Sequence, residues 1–303
     1  MSINDIRRIN DGRRPNVARR ANDTRRINDH GIQPKESVDY GTLVVEEYLE
    51  MTQHRGLISS DWSECLSPNG PFDCMSFAYP ELTSDLKLIF KQYTGNEIAL
   101  SEAMECCREL LPAPLSLEMM DAYLDQQFAH YTGVPELIEA CLSNNILFMI
   151  NTTGSMGYFQ RVFCKKLLPR VSALSAHPGL VFPAGKSDPK ALFNLHEIAD
   201  KPVNTALAAK QFQIPPQNIL VMGDSGGDGP HFKWAAGQNA IRVASMAKPS
   251  LKKFCTGQGI EIHQYFGISY EKGEPRREAD EMRVDFRDLV PYIVDRMAIN
   301  DIR

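Results

Sequence analysis

The sequence of 303 residues lacks any run of about eighteen apolar residues, so we expect no membrane-spanning helix. Its N-terminal stretch has no apolar core of the kind that signal peptides contain, and we therefore expect no secretory signal. The seven cysteines are odd in number and scattered, and none forms a Cys-x-x-Cys pair, which argues against a zinc site and a disulfide framework. These absences predict a cytoplasmic protein in a reducing compartment.

The first 31 residues differ in kind from the rest of the chain. Overall, 43% of the residues are hydrophobic, 23% are charged and the net charge is −5, as in an ordinary globular protein. Within residues 1–31, Arg pairs recur in a six-residue repeat, and the segment contains eight Arg against four Asp. This arm is therefore net +4, which leaves −9 for the remaining chain.

The Arg-rich arm has two interpretations. A basic segment can bind nucleic acid or an anionic surface, and the globular part would then process a nucleic-acid terminus. However, Asp in most of the repeats dilutes the positive field, and no aromatic side chains are interleaved for base stacking. We therefore favour a disordered, repeat-expanded tail without such a partner.

Beyond the arm, hydrophobic patterning predicts an α/β fold, specifically a three-layer, Rossmann-like parallel sheet. Short apolar segments alternate with helical patterns, and prolines interrupt a long helical region. The predicted strands lie at residues 57–60, 145–151, 179–182, 219–222 and 240–244. Helices are predicted at residues 43–51, within 72–142, and near 158, 191–199, 203–212, 231–236 and 286–297.

An acidic loop, Gly223-Asp224-Ser225-Gly226-Gly227-Asp228-Gly229, follows the strand predicted at residues 219–222. Two carboxylates at the carboxyl end of a buried strand suit a hard cation such as Mg²⁺. The glycines let the backbone bend sharply and approach a ligand closely. The alternative is an ordinary surface turn, because Asp and Gly are common turn residues.

Polar residues at other predicted strand and helix ends favour the metal site over the turn. Asp61 follows the first predicted strand, Thr152 and Thr153 follow the second, and Lys201 begins a helix. Because a parallel sheet gathers the carboxyl ends of its strands at one edge, we expect these residues to lie beside the acidic loop. An Asp nucleophile, a Lys, a Thr hydroxyl and Mg²⁺ together suit phosphoryl transfer.

Between residues 56 and 245 the sequence resembles the haloacid dehalogenase-like (HAD) hydrolases, most closely their phosphoserine-phosphatase-like branch. The strongest similarity runs from Lys201-Pro202 to the acidic loop, and the stretch from Gly133-Val134-Pro135-Glu136-Leu137 to Thr152-Thr153-Gly154 is also similar. The resemblance implies a HAD-like core, formed by residues 32–70 and 143–303. It also implies a helical cap, residues 71–142, inserted after the first motif.

The resemblance also implies a role for each residue of the site. Asp61 would be the catalytic nucleophile. Mg²⁺ would be held by Asp61, the backbone carbonyl of Ser63, Asp224 and, in support, Asp228. The substrate phosphate would be bound by Lys201, Thr153, the Gly154 amide and, as a fallback, Thr152. Lys186 and Lys190 are rival lysines, but their position in a polar loop is typical of solvated side chains.

The first motif departs from the family pattern Asp-x-Asp-x-Thr, since the sequence has Asp61-Trp62-Ser63-Glu64-Cys65. Ser63 stands where the phosphatases have the general acid, and losing such a group typically costs ~10²–10⁴-fold in rate. The spacing does not support Glu64 or Asp73 as a replacement acid. We therefore expect a Mg²⁺-dependent phosphatase-type hydrolase that acts slowly on a small phosphorylated metabolite through an aspartyl-phosphate. The alternative is a HAD-like phosphate-ligand binding or regulatory protein whose turnover is impaired.

Overall fold

Seven parallel strands form the centre of the protein in a computed structural model, which describes residues 54–94 and 97–299. Their order across the sheet is β4-β3-β2-β1-β5-β6-β7. The strands are β1 (Gly56–Ser60), β2 (Ile146–Ser155), β3 (Ala173–His177), β4 (Ala191–Asn194), β5 (Ile219–Gly223), β6 (Ile241–Ser245) and β7 (Gln264–Phe266). Strand β1 is therefore central, and it pairs with β2 on one side and β5 on the other.

Within the described residues, eleven α-helices accompany the sheet. Five lie between β1 and β2, namely α1 (Asp73–Ala78), α2 (Thr83–Thr94), α3 (Leu100–Leu110), α4 (Leu117–Gln127) and α5 (Val134–Ser143). The others are α6 (Met156–Cys164), α7 (Asp200–Gln211), α8 (Gly229–Gly237), α9 (Pro249–Gly257), α10 (Glu278–Glu281) and α11 (Val290–Ile299). Short 3₁₀ helices span Pro80–Leu82, Pro216–Asn218, Gly226–Asp228 and Phe286–Leu289.

The core is built from apolar side chains that alternate between the two faces of the sheet. Leu57 and Val221 pack in one cluster with Phe232 of α8 and Leu251 of α9. Helix α5 packs against β2 and against the C-terminal helices. The alternating α/β prediction and the parallel Rossmann-like sheet are thereby confirmed.

Two local predictions are wrong. Residues 179–182, predicted as a strand, lie in a turn and an extended connection, and the strand is β3 at Ala173–His177. Residues 191–199, predicted as helical, begin with the edge strand β4. The small side chains of β3 gave little apolar signal, and β4 gains its strand conformation from pairing with β3 alone. Strand β7 was not predicted either, because it is only three residues long and, like β4, is an edge strand that pairs with a single neighbour.

Two predictions concern parts of the chain outside the described residues. These are the disordered arm at residues 1–31 and the helix at residues 43–51.

Helices α1 to α4 occupy most of the stretch predicted to form the cap, whereas α5 packs on the sheet. The division into core and cap stays a prediction. No helix within residues 54–94 and 97–299 is long and apolar enough to cross a membrane.

Candidate active site

Three buried carboxylates lie together at the carboxyl edge of the two central strands. Asp61 directly follows β1 and Asp224 directly follows β5, while Asp228 ends the 3₁₀ turn after Asp224. The Asp61 backbone N–H donates to the Met222 carbonyl at 2.9 Å, which continues the pairing of β1 with β5 to this point. Each Asp offers an oxygen, and these three oxygens lie within 4.8 Å of one another. The adjacency expected from parallel topology is therefore present.

The acidic loop is folded around the carboxylate of Asp228. One oxygen of that carboxylate accepts the backbone N–H of Asp224 at 3.0 Å and of Ser225 at 3.3 Å. Gly223 is required at the start of the loop, because a Cβ there would overlap the Asp228 side chain. The loop therefore fixes Asp228 by backbone hydrogen bonds and brings Asp224 to the strand end beside Asp61.

Lys201 joins two of the carboxylates. Its ammonium lies 3.0 Å from Asp61 Oδ2 and 2.7 Å from Asp228 Oδ1, and its side chain is 3% exposed. Burial alone would lower the pKa of Lys201, but the two carboxylates raise it well above its usual value. The lysine is thus held as a buried cation.

A network of buried hydrogen bonds positions the helix that carries Lys201. Asn151 of β2 donates through Nδ2 to the Lys201 carbonyl at 2.9 Å and to Thr205 Oγ1 at 3.0 Å. The Thr205 hydroxyl also lies 2.8 Å from Ser59 Oγ of β1 and 2.9 Å from His231 Nε2 of α8. Burial lowers the pKa of His231 to about 3, so this imidazole is neutral and structural. The N-terminal half of α7 is therefore fixed to β1, β2 and α8.

The carboxylates differ in their protonation behaviour. Burial raises the pKa of Asp224 to about 7, although Lys248 opposes this change. Burial likewise raises the pKa of Asp61, against the effect of Lys201. Burial also acts on Asp228, but its ion pair with Lys201 outweighs it and holds that pKa below the usual value. Three clustered carboxylate groups, two of which resist ionisation in the absence of a further cation, are a donor set suited to a hard divalent cation, so these residues fit Mg²⁺.

A second lysine, which the sequence reasoning missed, lies at the opposite end of the cluster. Lys248 Nζ is 2.7 Å from Asp224 Oδ2 and also bonds Glu64 Oε2. Glu64 in turn binds Arg276 Nη1 through its other oxygen, at 2.9 Å. Lys248 follows β6, so its position at the carboxyl end of a further strand was the signal that could have identified it.

Ser63 lies at the same cavity as the carboxylate cluster. The two acids considered as its replacement are otherwise engaged. Glu64 is bound by Lys248 and Arg276, as described above. Asp73 lines a different hollow, where one of its oxygens accepts the Gly70 N–H at 2.7 Å. Neither carboxylate is therefore arranged as a proton donor at the Ser63 position.

The predicted phosphate-binding residues divide between two places. Thr153 lines the main cavity, which has a volume of about 550 Å³, together with Lys201. Thr152 is fully buried, and its Oγ1 accepts the Gly154 N–H at 3.2 Å. Gly154 itself lines a separate small hollow beside Trp62. The structure thus brings six of the predicted residues together, namely Asp61, Ser63, Thr153, Lys201, Asp224 and Asp228. Thr152 and Gly154 do not line this cavity and are hydrogen-bonded to each other instead. The rival Lys186 lines a distant hollow.

Comparisons with known proteins agree with this architecture. The chain matches no protein-family model and no curated protein. A phosphoserine phosphatase holding an analogue of its phospho-aspartyl intermediate is 15% identical, with a TM-score of 0.55, over 79% of this chain and 99% of that one. A substrate-bound phosphoserine phosphatase is 15% identical with a TM-score of 0.54, over 78% and 97% of the respective chains.

A HAD family hydrolase from Salmonella enterica subsp. enterica serovar Typhi is similar to the same degree. It is 15% identical with a TM-score of 0.54, and the match covers 72% of this chain and 68% of that one. The chain therefore has the haloacid dehalogenase-like fold. Within that class its fold is of the phosphoserine-phosphatase-like form, as the sequence predicts.

Proposed function

We propose that this protein is a Mg²⁺-dependent phosphatase-type hydrolase that cleaves a small phosphate monoester through an aspartyl-phosphate at Asp61. The observation that carries the proposal is the buried bridge of Lys201 between Asp61 and Asp228, at the edge where Asp224 also lies. The fold shared with structures of phosphoserine phosphatase adds support. The scattered free cysteines favour a cytoplasmic location.

In the first half-reaction, a carboxylate oxygen of Asp61 attacks phosphorus, and the bond from phosphorus to the ester oxygen breaks. The leaving oxygen departs as an anion and then takes a proton from water, because no carboxylic acid stands at the Ser63 position to supply one. Lys201 and the Thr153 hydroxyl would hold the phosphate oxygens, because both line the cavity beside Asp61. In the second half-reaction, water attacks the aspartyl-phosphate, which releases inorganic phosphate and restores the carboxylate.

The residues that would hold Mg²⁺ are Asp61, Asp224 and the backbone carbonyl of Ser63, with Asp228 in support. When bound, Mg²⁺ supplies positive charge that offsets the phosphate oxygens and the surrounding carboxylates. Asp228 would act mainly through Lys201, whose ammonium it fixes at 2.7 Å. Lys201 thereby keeps its charge directed at the space beside Asp61.

Ser63 sets the expected rate. Without a carboxylic acid at this position, the leaving oxygen must depart with little help from a proton donor, which costs ~10²–10⁴-fold for an alkoxide. We therefore expect aryl and acyl phosphates, whose leaving groups are stable anions, to react much faster than alkyl phosphates.

The missing acid also favours a second candidate function. A HAD-like protein that binds a phosphorylated ligand and regulates a partner would need the phosphate-binding residues but no general acid. The engagement of Glu64 by Lys248 and Arg276 supports this alternative, since it removes the nearest replacement acid from proton transfer.

A metal-dependence assay separates the two functions. Inorganic phosphate release would be followed for a panel of aryl, acyl and alkyl phosphates, with Mg²⁺ and with EDTA. The hydrolase proposal expects release that requires Mg²⁺ and disappears in Asp61→Asn. Ligand binding without Mg²⁺-dependent and Asp61-dependent release on any ester would instead establish the binding protein.

A further inference from the structure

Three aromatic rings line the candidate substrate cavity. Phe90 and Tyr93 of α2 and Phe254 of α9 all line it. Two separate helices, one in the segment after β1 and one between β6 and β7, thus supply rings to a single cavity. The part of the substrate beyond its phosphate would contact this aromatic surface.

Packing holds these rings in place. Phe90 makes an edge contact with Phe72, with ring centroids 5.4 Å apart, and lies 6.5 Å from Tyr93. Phe254 packs directly over Gly229, where an added Cβ would overlap its ring. Because the rings are fixed in the absence of a ligand, binding against them does not require ordering of the side chains.

One of the aromatic rings lies next to the phosphate end of the cavity. The Tyr93 hydroxyl interacts with the Thr153 side chain and lies within the field of Lys201. Both of these residues are at the Asp61 end. A group bonded directly to the phosphate would therefore lie near the Tyr93 ring.

The charges of the cavity disfavour a substrate that carries an amino group. Among the described lining residues, Glu64 is the one carboxylate outside the Asp61, Asp224 and Asp228 cluster. Its two oxygens are bound by Lys248 and Arg276. An ammonium on the substrate would find no free carboxylate here, and Lys248 and Lys253 would repel it.

We propose that the ligand of this cavity is the phosphate ester of an aromatic group without an ammonium, with the ring attached close to the phosphate. The inference rests on the proposed function in one respect, namely that the phosphate lies at the Asp61 end. It adds a substrate class that also matches the chemistry at Ser63, since an aryl oxide leaves without a strong proton donor.

Binding of phosphonates tests the proposal without requiring turnover, because a carbon–phosphorus bond is not cleaved by this chemistry. Affinities of the full chain with Mg²⁺ would be measured by calorimetry for phenylphosphonate and cyclohexylphosphonate, which are similar in size. A second pair, propylphosphonate and 2-aminoethylphosphonate, tests the charge. We expect phenylphosphonate to bind about 3- to 10-fold more tightly than cyclohexylphosphonate, and 2-aminoethylphosphonate to bind more weakly than propylphosphonate.

Variants locate the preference. Phe90→Leu and Phe254→Leu should each reduce the ratio of the phenylphosphonate affinity to the cyclohexylphosphonate affinity. Phe193→Leu is the matched control, because Phe193 packs on the core cluster away from the cavity. A preference that persists in both variants, or that is absent from the unchanged protein, would overturn the proposal.

The outcomes for the two proposals remain distinguishable. Mg²⁺-dependent hydrolysis together with equal affinity for phenyl- and cyclohexylphosphonate would overturn the aromatic substrate class and leave the phosphatase function intact. An aromatic preference in binding without any hydrolysis would support the substrate class and overturn the hydrolase. Tightest binding of 2-aminoethylphosphonate would contradict the charge argument directly.

Discussion

Two lysines bind opposite ends of the carboxylate cluster, and their surroundings differ. Lys201 bridges Asp61 and Asp228 with a side chain that is 3% exposed. Lys248 bridges Asp224 and Glu64 with a side chain that is 32% exposed. The first end is enclosed by protein, whereas the second opens to solvent.

The supporting contacts differ as well. Asn151 of β2 donates to the Lys201 carbonyl, as does Thr205 one turn further along the same helix, so the Lys201 backbone is fixed. Glu64, the second partner of Lys248, is partly exposed and shared with Arg276. The Lys201 end is therefore the more firmly held of the two; under the proposed function it would anchor the phosphate, while the Lys248 end would adjust the charge available to a cation.

The largest effect is expected at the rigid end. Lys201→Met leaves the buried carboxylates of Asp61 and Asp228 without their cation. We expect a loss of about 3–5 kcal/mol in the free energy of unfolding, measured by urea denaturation without Mg²⁺, and a fall in phosphatase rate of ~10²–10³-fold with Mg²⁺. Lys210→Met, on the exposed end of the same helix, is the control. A loss no larger than in that control would show that Lys201 is not a buried anchor.

The second largest effect is expected from a substitution at Ser63, beside Glu64. Ser63→Asp should restore a proton donor for the leaving group and raise alkyl-phosphate turnover on the order of 100-fold. Aryl-phosphate turnover should change little in the same variant, which provides an internal control, and Ser63→Ala should alter neither. Steady-state rates on both ester classes would be compared. An equal gain on both would mean that the new carboxylate acts on the metal or phosphate rather than on the leaving group.

The sequence predicted the rigid end well because each residue there lies at the end of a regular element. Asp61 and Asp224 follow strands, and Lys201 begins a helix, so parallel topology alone placed them together. Patterning also predicted the parallel sheet and the long helical stretch after β1. It failed at β3 and β4, where small side chains and edge pairing give little periodic signal.

The Lys248 end was not predictable in the same way. Glu64 adopts a left-handed backbone conformation, with φ of 55°, and its partners lie 184 and 212 residues further along the chain. Lys248 could have been located from the sequence, because it follows β6, but no local pattern indicates its contact with Glu64 or the contact of Glu64 with Arg276. The aromatic wall was missed for a related reason, since Phe90 and Phe254 come from distant helices and each is typical of a helix core.

A smaller effect is expected when the Lys248 charge is removed. Lys248→Met takes away an ammonium 2.7 Å from Asp224, so Mg²⁺ should bind more tightly, on the order of tenfold. Calorimetric titration of the ligand-free protein with Mg²⁺ gives the affinity without reference to turnover. Lys252→Met is the matched control, since Lys252 lies on α9, which begins directly after Lys248, and pairs instead with the exposed Glu271. Unchanged or weaker Mg²⁺ binding would contradict the idea that Lys248 competes with the cation.

The smallest effect is expected from a substitution at Glu64, also at the Lys248 end, which should change the Mg²⁺ affinity in the opposite direction. Glu64→Gln removes a negative charge that Lys248 and Arg276 now share, so more of the positive charge on both acts on Asp224 and its neighbours. Mg²⁺ should then bind about 2- to 5-fold more weakly, and Glu271→Gln should leave the affinity unchanged. The same titration measures both variants. If Glu64→Gln and Lys248→Met shifted the Mg²⁺ affinity in the same direction, loss of local structure would explain both shifts better than charge. The Lys248 end would then not regulate cation binding electrostatically.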